Sequence, residues 1–172
     1  MYNGLTFDNL NSNEKLYVLN EEGAYNEATS SQILATARNV ADQLLMSKQP
    51  LNNPDLVKNF LVGKLAGLEH EVAAIIFLDS QFQLIRYIEM FHGTLSQASV
   101  YPREIAKVAL RLNASAVIMS HNHPSGHAEP SMADRKLTKN LQKSLGLLDI
   151  KLLDHILVAG ASSLSFTEAG YL

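Results

Sequence analysis

The sequence predicts an α/β sandwich, a mixed β-sheet covered by helices on both faces. Short apolar runs of strand length alternate with longer stretches of helical periodicity, Gly, Pro and Asn stand between them, and there is no internal repeat of roughly 20–50 residues. The length of 172 residues fits one domain with a modest extension, and a domain of this size buries roughly 70% of its unfolded surface. Hydrophobic residues at 47% and charged residues at 18% exclude a disordered tail and a collagen-like repeat.

The first 28 residues carry frequent Asn and a Glu21-Glu22-Gly23 turn signal, and read as an irregular arm or short helical turns. Thr29 and Gln32 have capping-box spacing, and Ile33, Leu34, Ala37, Val40, Ala41, Leu44 and Leu45 then recur at helical intervals, which predicts an amphipathic helix over about 30–47. Pro50 and Asn52-Asn53-Pro54 break it. Leu56, Phe60, Leu61 and Leu65 mark a second helix over 55–65, ended by Gly67. The runs 71–78 and 84–91 are apolar, β-branched and aromatic, and predict two antiparallel strands joined by a tight loop at Asp79-Ser80. Pro102 suits the first position of a third helix, whose buried stripe is Ile105, Val108, Ala109 and Leu112 and which stops near Asn113. A buried strand follows over 116–120, then a Pro-Ser-Gly loop, a helix over 131–145 with Leu137, Leu141 and Leu145 on one face, and two strands over about 150–158 and 163–167. The expected division is an arm over 1–50 holding one helix, and a domain over 51–172.

A net charge of −3 disfavours a dedicated nucleic-acid binder, although Lys136, Lys139 and Lys143 recur at helical spacing and leave room for weak nucleic-acid association. Without Cys there is no disulfide framework, no thiolate zinc cluster and no cysteine nucleophile, so a bound metal has to use His, Asp or Glu. The chain opens without a basic start and apolar run, and no apolar segment approaches membrane-spanning length, which predicts a cytoplasmic protein with no membrane association.

The chemistry concentrates between Ser120 and Asp134. His121 and His123 are separated by one residue at the end of a strand, so the period-two alternation of side chains puts both imidazoles on one side. Ten residues separate His123 from Asp134, which falls in the first turn of the next helix and can return a carboxylate to the pair. Two imidazoles and one carboxylate with a fourth position open to water is the pattern of a catalytic zinc, which lowers the pKa of that water to about 7; the same donors also suit Mn²⁺ or Fe²⁺. Ser131 and Asp134 are at the same time spaced as a helix N-cap and its N3 partner.

His121-x-His123-Pro124 followed by Ser131-x-x-Asp134 resembles the zinc motif of the JAMM/MPN metalloproteases, and His121-Asn122-His123-Pro124-Ser125-Gly126 with Pro130-Ser131 resembles the bacterial RadC family in particular. Leu68-Glu69-His70-Glu71, Phe77-Leu78-Asp79, Gly93-Thr94, Tyr101-Pro102-Arg103-Glu104 and Asp154-His155 agree with it, so the similarity covers roughly 54–172. The resemblance implies the JAMM/MPN fold, a three-layer sandwich similar to the cytidine deaminases, with one Zn²⁺ held by His121, His123 and Asp134. It further implies Glu71 as general base and Ser131 as hydrogen-bond donor to the oxyanion.

The family's helix-hairpin-helix region finds no Gly-rich counterpart in the first 50 residues, and His127 stands where members often have an acidic residue. The first functional expectation is therefore a zinc-dependent hydrolase of an amide or isopeptide bond in a protein or peptide. The alternatives are a nucleic-acid-processing hydrolase, in line with the DNA-repair label of the RadC family, and a non-catalytic module whose zinc is closed by His127 as a fourth ligand. Asp154 and His155 lie inside an apolar strand, where simple alternation groups His155 with Leu153 and Leu157, and Asp154 with Leu152 and Ile156. At least one is buried and hydrogen-bonded, in a structural role or in support of the metal ligands. His70 and His92 read as bystanders.

Overall fold

The computed structural model describes residues 15–20, 23–46, 53–93 and 100–172. The expected end of the first helix at Ser47, its breaker Pro50, Asn52, Glu21-Glu22, Thr94 and the first fourteen residues lie outside them, as do the side chains of Leu44 and Leu45.

The described part of the arm is not irregular. β1 (Tyr17–Leu19) and β2 (Tyr25–Glu27) form an antiparallel hairpin, closed by Gly23 at φ 80° and by the Ala24 N–H donating to the Asn20 side chain at 2.8 Å. Two three-residue strands give too little alternation to be read from a sequence, whereas the turn glycine was visible.

α1 (Ser30–Met46) starts on the expected capping box: the Gln32 N–H donates to Thr29 Oγ1 at 3.3 Å, and Gln32 Oε1 accepts from the Thr29 N–H at 2.9 Å. α2 (Pro54–Leu65) is capped by Asn53, whose Oδ1 accepts from the Asp55 N–H at 2.9 Å. The helices meet where Gly63 faces Ala37 and Ala41, and Gly67, at φ 71°, ends α2 against Leu34, which would stand 2.7 Å from any Cβ placed there. Among the described residues α1 packs chiefly on α2, and Ile33 and Val40 of the expected stripe are exposed.

The sheet has the order β4-β3-β5-β6-β7, built from β3 (Val72–Leu78), β4 (Leu84–His92), β5 (Ala116–Asn122), β6 (Lys151–Ala159) and β7 (Ser162–Ser165). β3 runs antiparallel to β4 and β5, β5 parallel to β6, and β6 antiparallel to β7, so the sheet is mixed. The β3–β4 turn is set by Asp79, whose Oδ1 accepts from the N–H groups of Gln81 and Gln83 at 2.8 and 2.9 Å. Every residue of β3 and β5 is buried, as expected of central strands covered on both faces.

One face of the sheet, with Ala74, Ile76, Ala116 and Ile118, packs on α2. The other, with Ile75, Phe77, Val117 and Met119, packs on α3 (Pro102–Arg111) and α4 (Met132–Gly146). Phe60, Phe77 and Phe166 are fully buried, and each such side chain contributes about 1.5–3 kcal/mol by leaving water. These three layers are the α/β sandwich read from the sequence. Among the described residues no helix is long and apolar enough to cross a membrane.

Two strand ends differ by two residues from the sequence reading, the other strand boundaries by at most one. β5 continues through His121 to Asn122, and β7 stops at Ser165. The faces of β6 are also corrected by a bulge: Val117 pairs with Leu152 but Ile118 with Asp154, so Leu153 is the extra residue. His155 therefore shares the α4-side face with Leu152, and Leu153 packs toward α2.

Candidate metal centre

β5 delivers two kinds of polar side chain at its C-terminal end. Val117, Met119 and His121 follow one another on the α3/α4 face, and Ala116, Ile118, Ser120 and Asn122 on the α2 face. His123, one step past the strand, is anchored by its N–H to the Val158 carbonyl at 2.8 Å, and Gly126 at φ 78° closes a turn back onto the His123 carbonyl at 3.0 Å. The two histidines converge as their spacing requires: His121 Nε2 and His123 Nε2 lie 3.2 Å apart.

α4 brings the carboxylate. Ser131 caps it, and Asp134 closes the capping box. Asp134 Oδ2 accepts from the Ser131 N–H at 2.8 Å and from Ser131 Oγ at 2.6 Å, while Oδ1 faces His121 Nε2 at 3.4 Å. His123 Nε2 is 3.6 Å from Oδ2. Partial burial by itself raises the Asp134 carboxyl, but His121 and then Ser131 outweigh it and hold the group well below the usual carboxylate range.

His121, His123 and Asp134 each present a ligand atom, and these atoms all lie within 4.8 Å of one another. His123 Nδ1 is occupied by the His127 carbonyl at 3.0 Å, and since a carbonyl only accepts, Nδ1 carries the proton and Nε2 keeps its lone pair. His121 Nδ1 is occupied by His155 Nε2 at 2.7 Å, which leaves His121 Nε2 toward Asp134. Imidazole nitrogens and a carboxylate oxygen gathered in a largely buried place call for positive charge between them, and this donor set suits a divalent cation of the zinc class. The residues present can form a metal site.

The remaining expected residues fall as follows. Glu71 immediately precedes β3 and is half-buried. Ala73 pairs with His121 and Ala74 with Ser120, so continuing the register sets Glu71 opposite His123, on the face of Ala73 and His121. Ser131 has its hydroxyl on Asp134, so action on a substrate oxygen requires it to leave that bond. His127 contributes its carbonyl and is not among the clustered ligand atoms. His70, His92 and Glu69 are exposed, as are Lys136, Lys139 and Lys143.

Sequence reasoning missed Asn122 and Thr138. Asn122 Oδ1 accepts from the Val72 N–H at 2.7 Å and Nδ2 donates to the His70 carbonyl at 3.0 Å, so it clamps the backbone on either side of Glu71. Thr138 is fully buried on α4, where a hydroxyl on an otherwise apolar face was the available signal. His155 is fully buried, and burial first, then the neighbouring His121, pushes its ring well below the ordinary histidine range, so it stays neutral.

A three-layer mixed sandwich, with two imidazoles and a carboxylate that could hold a metal at the turn from a central strand into a helix, is consistent with a domain of the JAB/MPN kind. The sequence profile of the RadC-like JAB domain matches residues 51–171, and the chain belongs to that family. It is 47% identical over 136 residues to a UPF0758 protein of Shewanella baltica (strain OS185), and 48% identical over 136 residues to UPF0758 proteins of Shewanella oneidensis and of Shewanella sp. (strain ANA-3). Each alignment covers 79% of this chain and 60% of the relative, so the chain spans about 60% of the length of the curated relatives it matches.

Proposed function

We propose that this domain is a zinc-dependent hydrolase that cleaves an amide or isopeptide bond in a protein or peptide substrate. The observation that carries the reading is the convergence of His121, His123 and Asp134 within 4.8 Å; that Glu71 lies two residues before Ala73, the β3 partner of His121, supports it. The JAB/MPN family includes metallohydrolases, which supports it.

One Zn²⁺ per chain, held by His121, His123 and Asp134, would supply Lewis acidity, polarising a carbonyl and acidifying a water to near neutrality. Glu71 is the general base: its carboxylate takes a proton from the attacking water and delivers it to the leaving amine nitrogen. Asn122 holds the backbone on both sides of Glu71, which keeps the base at a fixed height on the sheet. Ser131, once its hydroxyl leaves Asp134, donates to the substrate oxygen that gains negative charge.

The test is cleavage of a peptide library and of isopeptide-linked conjugates by zinc-loaded protein, read by mass spectrometry. Wild type is expected to generate new termini, and Glu71→Gln to lose about 10²–10⁴-fold in rate while still binding one zinc. Equal cleavage by Glu71→Gln contradicts the role of the base. Inertness toward every amide substrate, beside salt-sensitive cutting of nucleic acid, contradicts the substrate class.

A further inference from the structure

We propose that His155 is a positioning residue of the metal centre: with Thr138 it forms a buried hydrogen-bond chain from the Asp134 carbonyl to His121 Nδ1, which fixes the nitrogen that His121 offers to a cation. The inference rests on the metal-centre reading above and adds residues outside the ligand set.

The direction of every proton in the chain follows from what each atom can do. The Asp134 carbonyl only accepts, so its 2.7 Å contact with Thr138 Oγ1 uses the single hydroxyl proton of Thr138. Thr138 Oγ1 then has lone pairs alone to offer His155 Nδ1, 2.6 Å away, so Nδ1 carries the proton of the His155 ring. A neutral ring has one such proton. His155 Nε2 is therefore bare and accepts from His121 Nδ1 at 2.7 Å, which puts the His121 proton on Nδ1 and frees Nε2 toward Asp134 Oδ1.

Both ends of the chain stop on ligand residues. It begins at the backbone of Asp134 on α4, crosses the interior through His155 on β6, and ends on His121 of β5, so the helix and strand that supply ligands are held to each other by one fully buried ring. His155 is also stacked on Phe166, ring centroids 4.3 Å apart, which holds its plane. A core histidine needs only to have its nitrogens satisfied; here the two partners are those that set the tautomer and the spacing of the site. The β6 bulge makes this possible, because simple alternation from Leu152 would turn His155 to the opposite face. Outer partners of metal-bound histidines typically change metal affinity about 10–100-fold when removed.

The experiment compares wild type, Thr138→Val, Thr138→Ser, His155→Phe and His121→Ala. Zinc affinity is measured by competition with a chromophoric chelator, folding by circular dichroism, and histidine tautomers by long-range ¹⁵N–¹H NMR on the zinc-free protein. Wild type is expected to carry the ring proton on Nδ1 of both His121 and His155. Thr138→Val and His155→Phe should bind zinc about 10–100-fold more weakly with the fold intact, and Thr138→Ser, which keeps the hydroxyl, should match wild type. If His155→Phe does not fold, Thr138→Val, of nearly the same shape, decides the matter.

Zinc binding by folded Thr138→Val equal to that of wild type, or a His155 proton found on Nε2, overturns the inference and leaves the metal centre standing. Failure of wild type to bind zinc more tightly than His121→Ala overturns the metal-centre reading, and this inference with it.

Discussion

The two faces of β5 begin alike and end differently. Both are apolar along the strand and become polar at its C-terminal end, one through Ser120 and Asn122, the other through His121 and, one residue past the strand, His123. Ser120 donates to the Ile156 carbonyl at 2.7 Å and Asn122 bonds to Val72 and His70, so that face spends its polar atoms on neighbouring backbone. On the other face each imidazole spends one nitrogen on the protein and turns the other toward Asp134. Polar residues that close on the backbone build the sheet; polar residues that leave lone pairs converging build a site.

Substitutions on the two faces should separate accordingly. The largest effect is expected from His121→Ala: zinc titration should fall from one ion per chain to none. With zinc at about a hundred times its Kd, wild type should gain about 2.7 kcal/mol of stability, read as a rise in Tm that the variant does not show. On the bracing face Asn122→Ala should do the reverse. It leaves the Val72 N–H without its partner, costs about 1–3 kcal/mol in urea unfolding, and preserves the zinc stoichiometry. Ser120→Ala removes one buried hydrogen bond and should cost about 0.5–1.5 kcal/mol, with zinc affinity unchanged. The smallest effect belongs to His127→Ala, which keeps the carbonyl that holds His123 and should move stability by no more than about 0.5 kcal/mol. A marked loss of zinc binding in that variant would bring its ring back into the site.

Elements with long periodic stripes were legible in the sequence. The Thr29 and Gln32 box opens α1 as read, Pro102 opens α3, and the two rings of the His-x-His pair meet as their spacing predicts. Asp134 was placed by its position in the first turn of α4. What sequence reading missed depends on partners distant along the chain. Asn122 acts on Val72 from 50 residues away; the burial and supporting role of His155 were legible, but its partner His121 stands 34 residues off. The β6 bulge is set by pairing with β5, which local alternation does not register, and it puts Leu152 in place of Leu153 on the face that His155 shares with Leu157. The β1–β2 hairpin was missed for a different reason, since three-residue strands are shorter than any periodic signal.

The central claim is that the end of β5 and the first turn of α4 form one metal site. Zinc-edge anomalous diffraction on protein purified without chelators tests it most directly. The account predicts a single peak at bonding distance, about 2.0–2.1 Å, from Nε2 of both His121 and His123, with an Asp134 oxygen as third protein ligand. A zinc bound through Nδ1 of His121, a zinc closed by the His127 ring, or no peak at this position would contradict it.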